Sequence, residues 1–206
     1  VVGVYDIRKG NHVWKKSVYN LIKNKPLILS DSIMVVGLRS GMKLFNIKNG
    51  EMIQEKLNRF GVIKLFSTNL KRFLMVTDSG VLQCYDYQLS KIWSQALNLN
   101  FESNIYIDDD KIFIGPGRDT LWVLDEETGN IQNSIQFING FEFSVKDNDL
   151  ILTYRDGTLK RINLNKRTLW ASNFEMGIPS EYSFLTDENL IIPYTKGVVI
   201  NINMRT

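Results

Sequence analysis

An all-β chain of short antiparallel sheets is what this sequence predicts, and three observations carry the expectation. First, apolar or alternating runs of strand length are bounded throughout by Gly, Asn and Asp. Those residues let a backbone turn through positive φ or bond to itself. Residues 149–174, DLILTYRDGTLKRINLNKRTLWASNF, read as three strands joined by tight turns at Arg155-Asp156-Gly157 and Asn165-Lys166-Arg167. Second, this hairpin grammar recurs. Asn163, which ends the middle strand, has counterparts at Asp6, Asn46, Asp86, Asp125 and Asn203, separated in chain order by 40, 40, 39, 38 and 40 residues. Each follows a bulky side chain: Tyr5, Phe45, Tyr85, Leu124, Ile162 and Ile202. Third, Trp14, Trp93 and Trp170 stand near the start of the strand that follows. A period near forty with about four strands per unit predicts the four-stranded antiparallel blades of a β-propeller.

Taken in order, residues 1–17 supply a middle strand and an outer strand. Residues 27–57 read as a full blade, with strands at 27–29, 33–38, 42–47 and 51–57. Further blades are expected over 62–97, 104–137 and 141–174, and strands at 182–185, 190–193 and 198–203 fall inside another. Residues 1–206 are thus expected to form a single propeller domain, or a segment of one, with both termini within blades. A chain of this length buries roughly 70% of the surface its unfolded form exposes, enough for a core without covalent staples. Pairing 181–194 with 1–17 would close a ring of about five blades and leave 198–206 over; the alternative is part of a ring of about seven or eight.

The segment Asp6-x-x-x-Gly10-x-x-x-Trp14 resembles the repeat of quinoprotein-like propellers, in which an Asp, a turn Gly and a docking Trp follow in that order. Asp125-Glu126-Glu127-Thr128-Gly129 matches the turn and puts Asn133 at the Trp position. Asp86…Trp93 and Asn163…Trp170 keep the Trp one residue earlier and lack the Gly. RDGTLKRIN, residues 155–163, is similar to WD-type repeats, with Tyr, Phe, Leu or Ile in place of their Trp and without their Gly-His pair. What the resemblance implies is blade architecture over nearly the whole chain. Quinone-dependent members use a vicinal cysteine pair and a carboxylate-bound calcium; the lone Cys84 leaves no such pair, so no cofactor is expected.

Little in the composition points to catalysis. With one histidine, His12, and one cysteine, Cys84, no thiolate–imidazole zinc set can form, and Cys84 reads as a small core residue. Asp108-Asp109-Asp110 lacks the alternating oxygen ligands of a calcium loop and reads as a solvated turn. Gly115-Pro116-Gly117-Arg118-Asp119 lacks the Lys-Ser/Thr of a phosphate-binding loop. No apolar run approaches the ~18 residues of a membrane span. The single cysteine and the lack of any Asn-x-Ser/Thr acceptor favour an intracellular home, cytoplasmic or nuclear.

Charge is uneven. Residues 1–75 hold 14 Lys/Arg against 4 Asp/Glu, a balance of +10, and the remainder hold 11 against 18, a balance of −7. In a propeller the loops between second and third strands share one face with the links from fourth strand to next blade. Four of the five second-to-third loops carry a cation: Arg39, Arg118, Arg155 and Lys196; Asp78-Ser79-Gly80 is the exception. The links add Lys23, Lys25 and Arg59. Guanidinium groups gathered on one concavity suit carboxylate or phosphate through paired, charge-assisted hydrogen bonds. Some WD-type propellers hold acidic or phosphorylated peptides in this way, so the resemblance implies a protein or peptide partner, acidic or phosphorylated. The expected function is a non-enzymatic scaffold, a subunit of a larger complex, that presents one face to a partner segment. A nucleic-acid-binding propeller using the basic first third is the alternative, and an enzyme with a channel-lining site the second alternative.

Overall fold

The computed structural model describes the chain except residues 23, 101–102, 118, 147–148, 180–182, 187 and 204–206, and the side chains at 116 and 117. Strands and turns account for the regular structure among the described residues. β1 (Val2–Asp6) and β2 (Asn11–Lys16) form a two-stranded sheet. Four sheets of four antiparallel strands follow, each a simple meander. The first holds β3 (Leu27–Ile28), β4 (Ile33–Leu38), β5 (Gly41–Asn46) and β6 (Met52–Leu57). The next holds β7 (Val62–Ser67), β8 (Arg72–Thr77), β9 (Val81–Asp86) and β10 (Lys91–Ala96). Then come β11 (Asn104–Asp108), β12 (Lys111–Gly117), β13 (Thr120–Asp125) and β14 (Ile131–Gln136), and after them β15 (Gly140–Lys146), β16 (Asp149–Tyr154), β17 (Thr158–Asn163) and β18 (Thr168–Asn173). β19 (Phe184–Leu185), β20 (Asn189–Pro193) and β21 (Val199–Asn203) make a three-stranded sheet; Tyr182, placed in its first strand by the sequence, lies outside the described residues. β2 pairs with β1 and β19 with β20, so among the described residues no sheet is shared by the two ends and no closed ring fixes the blade number.

Contacts divide the chain into two compact units, Val1–Ser103 with Glu126–Asn130, and Asn104–Asp125 with Ile131–Thr206. Inside the first, Met34, Val36, Leu38 and Phe45 pack with Val2 and Trp14, while Val35, Met42 and Leu44 face Val62, Phe73, Met75 and Tyr85. Neighbours on β4 thus point to opposite buried faces. That explains why second strands such as Ile33–Leu38 read as continuous apolar runs and not as alternations. Inside the second unit, Phe113, Leu121 and Phe137 pack on Phe143, Val145 and Leu152, and Ile151 and Leu159 pack on Leu190 and Ile192. Each such buried side chain contributes about 1.5–3 kcal/mol. Outer strands are polar and largely exposed, as in β6 and β18.

The repeated Asp/Asn earns its place at the end of the third strand. Asp6 Oδ1 accepts from the backbone N–H of Arg8 and Lys9, Asn46 Oδ1 from Lys48, Asp86 Oδ1 from Gln88 and Ser90, and Asn163 Oδ1 from Arg167. Copies with a glycine close when its N–H donates to the carbonyl four residues back: Gly10 to Asp6 and Gly50 to Asn46. Copies without it close one residue sooner, Leu89 to Asp86 and Lys166 to Asn163, and carry a non-glycine residue at positive φ (59° and 64°). The shorter turn is why the tryptophan follows Asp86 and Asn163 one residue earlier.

Each outer strand also carries a β-bulge beside its docking position. Trp14 pairs with Val4 and His12 with Tyr5, which leaves Val13 over. The same slip leaves out Ile53, Ile92, Gln132 and Leu169. A bulge re-aims the next side chain. Trp14 Nε1 then donates to Ile47 O at 2.6 Å, and Trp93 Nε1 to Glu126 O at 3.3 Å. A Cβ at Gly50 or Gly129 would sit 2.5 or 2.4 Å from the ring of Trp14 or Trp93, so only glycine lets the indole lie on the turn. Where the turn has no glycine the indole is absent too: Asn133 Nδ2 donates to Leu164 O, and Lys56 Nζ to Leu89 O.

Candidate functional site

Among the described residues, the sequence-predicted cations stand on second-to-third-strand loops and on the links that leave outer strands. A repeated backbone bond ties the two kinds of segment together. Arg39 N–H donates to Leu21 O and Asp78 N–H to Gly61 O in the first unit. Arg155 N–H donates to Asn139 O and Thr195 N–H to Ile178 O in the second. Each unit therefore has its own loop cluster.

In the first unit the cluster joins residues 20–22 and 24 with residues 38–41 and 57–62. Asn20 Nδ2 donates to Ser40 Oγ, Asn58 N–H to Ser40 O, and Asn24 Nδ2 to Val62 O. Gly61 allows the approach: a Cβ there would meet Asp78 Oδ2 at 2.8 Å and Arg39 O at 3.2 Å. Asn24 Oδ1 and Asn58 Nδ2 are buried without a partner in this cluster, at about 1–3 kcal/mol each. Lys25, Arg39 and Arg59 are exposed, and among the described residues their side chains make no ion pair or hydrogen bond. Asp78 is the acidic group beside them.

In the second unit Arg155 and Lys196 are exposed. The Arg155 guanidinium lies 5.5 Å from the centre of the Phe141 ring, and Lys196 Nζ donates to Glu175 O at 3.2 Å. Asp156 is not the counter-ion of Arg155: its Oδ1 accepts from Thr158 N–H, and hydrogen bonds from the Thr158 backbone and hydroxyl hold its carboxyl below the usual range. Lys23 and Arg118 lie outside the described residues. The structure thus gathers Lys25, Arg39 and Arg59 in one unit and Arg155 and Lys196 in the other.

Sequence reading missed two features. One is apolar exposure on the same loops, at Tyr19, Leu21, Leu57 and Phe60; its only signal is apolar residues at positions read as links. The other is a buried carboxylate. Glu142, on β15, accepts from Ser183 Oγ at 2.6 Å, and burial raises its pKa against the opposing pull of Ser183. Nearby Tyr106 bonds Ser144, and burial raises its pKa also. Among the described residues no group of three or more His, Cys, Asp or Glu is placed to hold a metal ion, and no helix is long and apolar enough to cross a membrane.

No protein-family model and no curated protein sequence matches the chain. Solved structures do. BamB from Moraxella catarrhalis, a quinoprotein-like β-propeller, superposes with a TM-score of 0.72 at 18% identity, over 94% of this chain and 65% of its own. The computationally designed protein Ika8 gives a TM-score of 0.66 at 15% identity, over 87% of this chain and 57% of its own. BBS1N, solved in complex with ARL6DN, gives 0.61 at 11%, over 84% and 62%. The fold is that of a β-propeller, similar to these structures. The chain spans less than two thirds of the length of each of these structures.

Proposed function

We propose that this propeller is a non-enzymatic interaction module, one subunit of a larger intracellular assembly, whose loop face holds an acidic or phosphorylated partner segment. The observation that carries the reading is the set of exposed cations on the clasped loops, Lys25, Arg39 and Arg59 in one unit and Arg155 and Lys196 in the other. Lys25, Arg39, Arg59 and Arg155 have no carboxylate partner among the described residues. Unpaired guanidinium groups on fixed backbone are ready to donate paired hydrogen bonds to an anion from outside the chain. A propeller of similar fold, BBS1N, has been solved with a protein partner, which supports the general mode.

Binding of labelled acidic, phosphorylated and neutral peptides to wild type, Arg39→Glu and Arg155→Glu tests it. The expected result is preference for the anionic peptides and loss of at least about tenfold on charge reversal, the equivalent of one good charged contact. Equal binding of all peptides by all three proteins would refute the reading. The +10 balance of residues 1–75 keeps nucleic acid as a competing ligand. A single-stranded oligonucleotide bound more tightly, with affinity falling steeply in salt, would favour that ligand instead.

A further inference from the structure

We infer that the loop cluster of the first unit takes an acidic segment that also carries apolar side chains, and not an anion alone. The inference rests on the anionic-partner reading above and adds the chemistry of the rest of the ligand. Beside Lys25, Arg39 and Arg59 the same clasped segments expose large apolar side chains: Tyr19 is 97% exposed, Leu57 74%, Leu21 55% and Phe60 40%. Apolar surface gathered between cations marks a binding face, whereas scattered single residues do not.

These four residues are not the extra residues of outer-strand bulges, which account for four of the other exposed apolar side chains. Val13, Ile53, Ile92 and Leu169 are the extra residues of outer-strand bulges, turned outward by the geometry that aims the docking residue. Tyr19, Leu21 and Phe60 sit in links, and Leu57 ends its strand. Tyr19 further holds a left-handed backbone, φ 49°, which an L-residue adopts at an energetic penalty and which a bare turn would give to glycine. An aromatic ring kept there, touching almost nothing of its own chain, is an arrangement with no return in the free fold.

Charge complementarity selects the occupant. Three cations against Asp78 favour an acidic chain, and apolar side chains on that chain cover the tyrosine, phenylalanine and leucines. Leu21 and Leu57 offer no ring for a base to stack on, so a peptide fits better than an oligonucleotide. The second unit repeats the combination independently: Ile138 and Ile178 are exposed on links clasped to the loops of Arg155 and Lys196.

Fluorescence anisotropy with three peptides of equal length tests this: Asp/Glu alternating with Leu, the same acids alternating with Gly, and Gln alternating with Leu. The acidic Leu peptide is expected to bind at least about tenfold more tightly than either control. Tyr19→Gly is expected to lose about tenfold in that affinity with an unchanged or raised melting temperature, because glycine relieves the left-handed backbone. Phe60→Ala should weaken binding in the same direction. If acidic Leu and acidic Gly peptides bind alike and Tyr19→Gly changes nothing, the apolar component is wrong while the anionic reading stands. If no acidic peptide binds, the anionic reading itself has failed. Vesicles of phosphatidylserine and phosphatidylcholine, or a single-stranded oligonucleotide, bound more tightly than the peptide and released by Tyr19→Gly would overturn the choice of a peptide.

Discussion

Replacing Gly50 by alanine puts the packing of neighbouring sheets to a quantitative test. Gly50 has φ 71° and lies under Trp14, which is 8% exposed. The added Cβ would stand 2.5 Å from Cδ2 and 2.6 Å from Cε3 of the indole, against 3.4–4 Å for ordinary contact. Three terms act together. A left-handed L-residue costs about 1–2 kcal/mol. Overpacking that pushes a buried ring by about an ångström costs about 1–3 kcal/mol. The shift also lengthens the bond from Trp14 Nε1 to Ile47 O, now 2.6 Å, worth about 1 kcal/mol. Gly10 supplies the control, since it closes the equivalent turn at φ 67° with only the Tyr5 hydroxyl near, at 3.8 Å. Gly10→Ala therefore carries the backbone term alone. Urea unfolding should show Gly50→Ala about 2–4 kcal/mol more destabilising than Gly10→Ala, and the gap should close when both are made in a Trp14→Ala background. Equal losses at the two glycines would refute the docking account and leave only turn conformation.

Two further outcomes follow from buried titratable groups. Burial raises the pKa of Glu142 above 4.5, so its contribution to stability is complete below about pH 4.5 and is lost as pH rises through the folded value. Urea melts across mildly acidic to neutral pH should show wild type losing stability relative to Glu142→Gln, by at most about 1.4 kcal/mol per pH unit; parallel curves would refute it. Cys84 is fully buried, and burial pushes its thiol up to about 11. A thiol reagent at neutral pH should leave it untouched in the folded protein and label it fully in concentrated guanidinium, whereas rapid labelling of the native chain would contradict its placement.

Much of the fold was legible because it rests on short-range chemistry. The repeated Asp or Asn is read as a turn residue, and at Asp6, Asn46, Asp86 and Asn163 it acts as one, accepting backbone N–H groups two to four residues on. Even the one-residue slip in tryptophan spacing had a local cause, the shorter turn closed at Leu89 and Lys166. The bulges were not legible. Apolar Ile53 or Ile92 in a strand pattern reads as inward, and only the pairing register shows it left over. Lys56, charged and near a strand end, gave no sign that it would reach Leu89 O and replace a tryptophan link. At the candidate site the loops carrying Arg39 and Arg155 were foreseeable from topology. The left-handed Tyr19 and the apolar links were not, because nothing in an isolated sequence distinguishes an exposed leucine from a core one.

The docking rule and the loop face depend on the same construction. A bulge turns the outer strand so that Trp14 or Trp93 reaches a turn thirty-three residues on, and glycine at that turn removes the obstacle. Apolar exposure at Val13 or Ile92 is thus a by-product of the joint, and substituting it should leave recognition alone. Exposure at Tyr19 and Phe60 lies on the links that run from one sheet to the next, where no joint requires it. The links are also where the backbone clasps hold the cationic loops in place, as Arg39 to Leu21 and Arg155 to Asn139 do. On the proposed reading, a ligand on these segments meets a surface fixed by backbone hydrogen bonds, with charge from both kinds of connection and apolar contact from the links. If the proposed reading holds, the cations and the apolar side chains act together, and removing either component alone should weaken binding without unfolding the sheets.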